Sequence, residues 1–206
     1  MDVALRAAVA RPTDDLPGEG RFQPGALRTF DGRRRPVPGL RYHAGRQLLE
    51  AQDSVAPDVT HFWPVGSLRG FDLGADAAAA PPRRFRPRLV RECAVGCLRR
   101  EFVEVLTTLD TGPLLLGWVF LQAPAEDGEP ARLMQILVAG PGPATNPDGL
   151  HPVELTKEAV LHLFGPRAEQ VRSFAAGQRL HYSHPADVAR MVDYFNRVAL
   201  VKVSMR

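Results

Sequence analysis

Nine consecutive uncharged residues, Leu114-Leu-Leu-Gly-Trp-Val-Phe-Leu-Gln122, limit what this chain can fold into more than any other feature. The run is too short to cross a bilayer as a helix. Asp110-Thr111-Gly112 before it and Glu126-Asp127-Gly128 after it are turn chemistry. A short apolar run between turns reads as a central strand buried on both faces. Residues 102–109 (Phe-Val-Glu-Val-Leu-Thr-Thr-Leu) and 131–139 flank it as further strands, giving an antiparallel meander of three.

A strand covered on both faces needs a covering layer. Helices are expected over residues 152–164, 167–176 and 185–196. In the last of these, Val188, Met191, Val192 and Phe195 follow the i, i+3, i+4, i+7 spacing of an apolar stripe. His151-Pro152 and His184-Pro185 each look like a helix opening, with Pro in the first turn and an acid behind it. The β-branched stretch 198–204 reads as a terminal strand. The expected class is α+β: a mainly antiparallel sheet, made of a three-strand meander plus a C-terminal strand, with helices on one face.

The front of the chain is different. Pro12, Pro17, Pro24, Pro36 and Pro38 alternate with Gly18, Gly20, Gly25, Gly32 and Gly39, and neither strand nor helix period survives. Residues 1–54 therefore read as an irregular Pro/Gly/Arg-rich arm with a short helix over 41–52, and residues 55–206 as a single α+β domain. Residues 1–40 are expected to add little to the core.

The charge is uneven in the same sense. Residues 1–100 carry 17 Arg and 11 acids, a net +6, whereas residues 101–206 carry nine basic groups and 12 acids, a net −3. Across the chain there are 24 Arg and two Lys, a bias that a GC-rich genome explains. The N-terminal stretch lacks the basic-then-apolar pattern of a signal peptide, so a soluble cytoplasmic protein away from membranes is expected.

Patterns that carry chemistry are sparse. Asp110-Thr111-Gly112 matches an aspartic protease tripeptide, but that chemistry needs two carboxylates and the chain has one copy. Cys93 and Cys97 lie far from His181 and His184 and lack zinc spacing, so the cysteines read as small core residues. The loop from Gly140 to Gly149 is interrupted by prolines that remove the N–H groups a phosphate cradle needs. No catalytic residue, cofactor or metal is expected.

Two features point to partners. Arg83, Arg84, Arg86, Arg88 and Arg91 fall within nine residues around Phe85 and Pro87, and Arg33-Arg34-Arg35 forms a smaller cluster. On a strand, Arg84, Arg86 and Arg88 share one face. Basic residues interleaved with an aromatic can track a phosphate backbone. His61-Phe62-Trp63 places Phe62 and Trp63 in a loop as interaction anchors. The expected function is a non-enzymatic interaction or assembly component, a subunit binding another protein or further copies of itself. A nucleic-acid-binding module using Arg83–Arg91 is the alternative, and an enzyme whose site the sequence does not display is a third.

Overall fold

A computed structural model describes residues 11–12, 21–75, 81–91, 97–122 and 133–203. The strands are β1 (Arg11–Pro12), β2 (Gln23–Arg28), β3 (Arg34–His43), β4 (Leu48–Gln52), β5 (Thr60–Pro64), β6 (Gly70–Leu73), β7 (Arg83–Arg91), β8 (Leu98–Val105), β9 (Leu115–Gln122), β10 (Leu133–Gly140) and β11 (His151–Pro152). The helices are α1 (Lys157–His162), α2 (Ala168–Gly177) and α3 (Pro185–Val203). The sheet runs β1-β10-β9-β8-β7-β6-β2-β3-β4-β5, and β11 pairs β10. All the pairings between these named strands are antiparallel, and an isolated bridge between Val90 and Leu150 is parallel. The chain is thus α+β, but the three-strand meander is too small a description: β8, β9 and β10 are the middle of a much larger sheet.

The first half of that sheet closes on itself. Leu150 donates its N–H to the Leu89 carbonyl at 2.7 Å and accepts from the Arg91 N–H at 2.8 Å. The next two residues pair with β10, Val138 opposite Pro152. Residues 150–152 therefore join β7 back to β10 and complete a small barrel of β7, β8, β9 and β10. Its interior is filled by Val90, Val103, Val105, Leu115, Val119, Ile136, Val138 and Leu150. On the other face, Leu116 of β9 and Leu114 just before it pack outward against Val160, Val171, Val188 and Val192 of the helices. Both faces of the apolar run are covered, one by the barrel interior and the other by the helical layer at Leu114 and Leu116 and by the aromatic cluster at Phe120.

The second half folds back over the first. Tyr42, Phe71, Phe85 and Phe102 form an aromatic cluster between the β2–β6 strands and β7–β8, with Phe71 stacked on Phe85 at 4.6 Å. Gln47, in the left-handed region at φ 50°, wedges its amide between β8 and β9. It accepts from the Phe102 N–H at 2.6 Å and donates to the Phe120 carbonyl at 3.0 Å. One side chain thus supplies the ladder bonds where those strands part.

Three expectations are corrected here. Residues 23–52, read as irregular with a short helix over 41–52, instead form β2, β3 and β4 separated by a 3-10 turn. Ala26, Leu27 and Leu40 are buried, so this stretch belongs to the core. The prolines sit where a ladder tolerates them, Pro24 and Pro38 exposed on the strands. The C-terminal strand is absent among the described residues: α3 continues without a breaker to Val203. Helical continuity outweighs the β preference of Val198 and Val201, which is a weak local term. Finally, the two His-Pro pairs diverge. His184-Pro185 leads into α3, whereas His151-Pro152 is β11; α1 starts later, capped by the Thr156 hydroxyl, which accepts from Ala159 N–H at 3.2 Å.

Candidate functional site

The β2–β3 hairpin turn is built by Asp31 and Gly32. Gly32 has φ +81°, and Asp31 accepts from the Thr29 hydroxyl and from the Arg33 N–H at 3.1 Å. This turn holds Phe30 66% exposed at its tip. Beside it lies a cleft of about 320 Å³ lined by Arg28, Arg33, Arg69, Arg86, Arg88 and Arg100, with Phe30 at the same opening. Of the residues lining it, Asp110 alone is acidic.

The wall of the cleft is the arginine face of β7. Arg84, Arg86 and Arg88 alternate onto one side of the strand and grip the turn after β8. Arg84 donates to the carbonyls of Thr107 and Thr108 and to the Asp110 carboxylate at 2.8 Å. Arg86, 3% exposed, bridges two carboxylates: Asp110 at 2.5 Å and Asp72 at 2.8 Å. It also donates to the carbonyls of Phe71 and Phe85 at 3.0 and 2.8 Å. Gly70 makes room for it. A Cβ there would come within 2.9 Å of the Arg86 side chain and 2.3 Å of the Phe85 carbonyl, and Gly70 has φ +141°.

Asp72 is the hub behind the wall. It is 2% exposed and also accepts from Arg28 at 3.0 Å and Arg34 at 3.4 Å. Burial pushes its carboxyl up, but the Arg28 hydrogen bond and the Arg86 charge outweigh burial and hold it below the ordinary carboxylate range. A second buried acid behaves alike: burial raises the Glu50 carboxyl, and hydrogen bonds from His43 and Arg41 bring it down further.

Arg88 differs from its neighbours. It is 5% exposed, yet its guanidinium donates only to the backbone carbonyls of Pro87 at 2.8 Å and Asp110 at 2.5 Å. Its Nε is buried with no hydrogen-bond partner. Burial lowers its pKa to about 10, more than the attraction of Asp110 restores, and Arg86 lowers it further. It stays charged at neutral pH, at a cost in solvation.

The residues singled out from sequence are thus placed as follows. Arg84, Arg86 and Arg88 come together on the turn after β8; Arg86 and Arg88 line the cleft, buried instead of lying on an open stripe, and Arg84 does not line it. Arg83 faces the other side of β7, paired through two N–H groups with Glu104 at 2.6 Å and lying over the Phe85 ring. Arg91 ends the strand and reaches the Asp148 carbonyl at 3.4 Å. Phe62 and Trp63 are on β5, away from the cleft: Phe62 is 58% exposed and Trp63 packs against the aromatic core. Of the cleft's other residues, Arg33 belongs to the smaller Arg33-Arg34-Arg35 cluster, whereas Phe30, Arg28, Arg69 and Arg100 carried no signal in the sequence.

Asp110 is held by two arginines, and no second carboxylate lines the cleft. Cys97 is exposed and not a core residue, and Cys93 lies outside the described residues. Among the described residues no group of three or more His, Cys, Asp or Glu could hold a metal ion, and no helix is long and apolar enough to cross a membrane. No family model, curated protein or solved structure matches the chain.

Proposed function

We propose that this protein is a nucleic-acid-binding module that takes a single strand into the arginine-lined cleft. The observation that carries the reading is the charge of that cleft, six arginines against one carboxylate already engaged by Arg86 of the six and by Arg84 behind it. Guanidinium groups match phosphate geometry, and an exposed ring at the rim offers a stacking face for a base. An acidic protein surface would use the cations but not Phe30.

The test is fluorescence anisotropy with labelled linear single strands of mixed sequence at several salt concentrations. Affinity should fall with salt, as expected when phosphate contacts release counterions. Phe30→Ala should weaken binding about tenfold, the order of one lost stacking contact. Arg33→Gln should flatten the salt dependence. Salt-independent binding, or none, would remove the reading.

A second reading, a subunit that assembles with further copies of itself, rests on a separate feature. Strand β5 ends the sheet, and among the described residues nothing pairs its outer edge. Beside it Val55 is 91%, Val59 48% and Phe62 58% exposed. Unpaired edges next to apolar surface favour strand addition. Sedimentation velocity should show concentration-dependent association that Phe62→Asp abolishes; a wild-type protein monomeric at every concentration sinks this second reading.

A further inference from the structure

Resting on the nucleic-acid reading, we propose that the cleft is a pocket for the end of a strand, in which a terminal phosphate monoester is held by Arg88 at the floor and by Arg69 and Arg100 at the opening. These three line one cleft, and none has a carboxylate within ion-pairing distance among the described residues. Every other arginine of the cleft has one: Arg28 and Arg86 are on Asp72, and Arg33 is 3.5 Å from Asp31. Three guanidinium groups without a paired carboxylate around one space are mutually repulsive, and an anion between them relieves that repulsion.

Two features select a chain end over an internal phosphodiester. Arg88 and Leu68 line the cleft yet are 5% and 1% exposed, which makes them its floor, reached by a group that enters the cleft head-on. An internal phosphate carries chain on both sides and stays at the opening, where Arg69 and Arg100 are exposed. The volume, about 320 Å³, lies at the lower end of the roughly 300–1,000 Å³ range of small-ligand pockets, room for one nucleotide and not for a track. The monoester also carries a second negative charge near neutral pH and three oxygens able to accept from separate arginines. The Asp110 carboxylate does not compete for those donors, since Arg84 and Arg86 already occupy it.

The experiment compares linear strands of one sequence bearing a 5′-phosphate, a 3′-phosphate or hydroxyls at both ends. One phosphorylated form should bind about tenfold tighter or more, the effect of an added charge-assisted hydrogen bond, and the arm that gains identifies which end enters. Arg88→Gln should erase that gain while leaving residual binding of the hydroxyl strand. If Arg88→Gln does not fold, Arg69→Gln combined with Arg100→Gln carries the test, because both side chains are exposed and should leave the thermal unfolding of the free protein unchanged. Equal affinity for all three strands overturns the terminal-phosphate proposal while the nucleic-acid reading stands. A preference that persists in the folded variants also overturns it. No binding of any strand overturns both.

Discussion

Arg86→Met should destabilise the fold by roughly 3–5 kcal/mol, the range found when one partner of a buried ion pair is removed. Arg86 touches both the buried Asp72 and the half-buried Asp110, and it also satisfies two backbone carbonyls. Methionine fills part of its volume but leaves those acceptors short of a donor. Chemical denaturation should show a lower midpoint with an unchanged slope. A loss under about 1 kcal/mol would mean Arg28 and Arg34 suffice for Asp72. Arg35→Gln, which breaks only the exposed pair with Asp31, should change nothing measurable.

The same network sets the response to acid. The Asp72 carboxyl is held below its ordinary value near 3.8 in the folded protein. As pH falls through that value the unfolded chain binds the proton first, so the Asp72 contribution is full above it. The contribution is lost as pH falls further toward the folded value. In Arg86→Met this acid dependence should shrink, because one source of the depression is gone.

Val119→Asp should abolish soluble folding. Val119 is fully buried inside the barrel among Val103, Ile136 and Val138, with no basic or hydrogen-bonding side chain in that cluster. Burying a carboxylate without a partner costs several kcal/mol even after it protonates, comparable with the whole stability of a domain this size. The check is the soluble fraction on expression together with cooperative unfolding by circular dichroism. A soluble variant that unfolds in one transition would place residue 119 outside the core.

The hairpin at Asp31-Gly32 shows how a legible signal was masked. An Asp-Gly pair between strand segments is a strong short-range hairpin cue. Here Pro24, Pro36 and Pro38 in those segments argue against strands locally, and only pairing with β6 and β4 fixes them as β2 and β3. The 198–203 stretch failed in the opposite direction, since its side chains favour a strand while the helix already running from Pro185 carries them along.

Features that depend on neighbours in the chain were legible before any fold was known. The uncharged run at β9 demanded cover on both faces, the α3 stripe demanded a helix, and the spacing of Arg84, Arg86 and Arg88 put three guanidiniums on one side of a strand. The company those residues keep came from the folded chain. Asp72 and Asp110 lie 14 and 24 residues from Arg86 and meet it through strand register and a turn, not through proximity in sequence. Arg28, Arg69 and Arg100, from β2, the β5–β6 connection and β8, share a cleft with Arg88 only once the sheet has folded over itself. Periodicity is a local property that a few residues can encode. The balance between arginines that are neutralised and arginines left open to a ligand is a property of distances across the sheet, and those exist only in the folded chain.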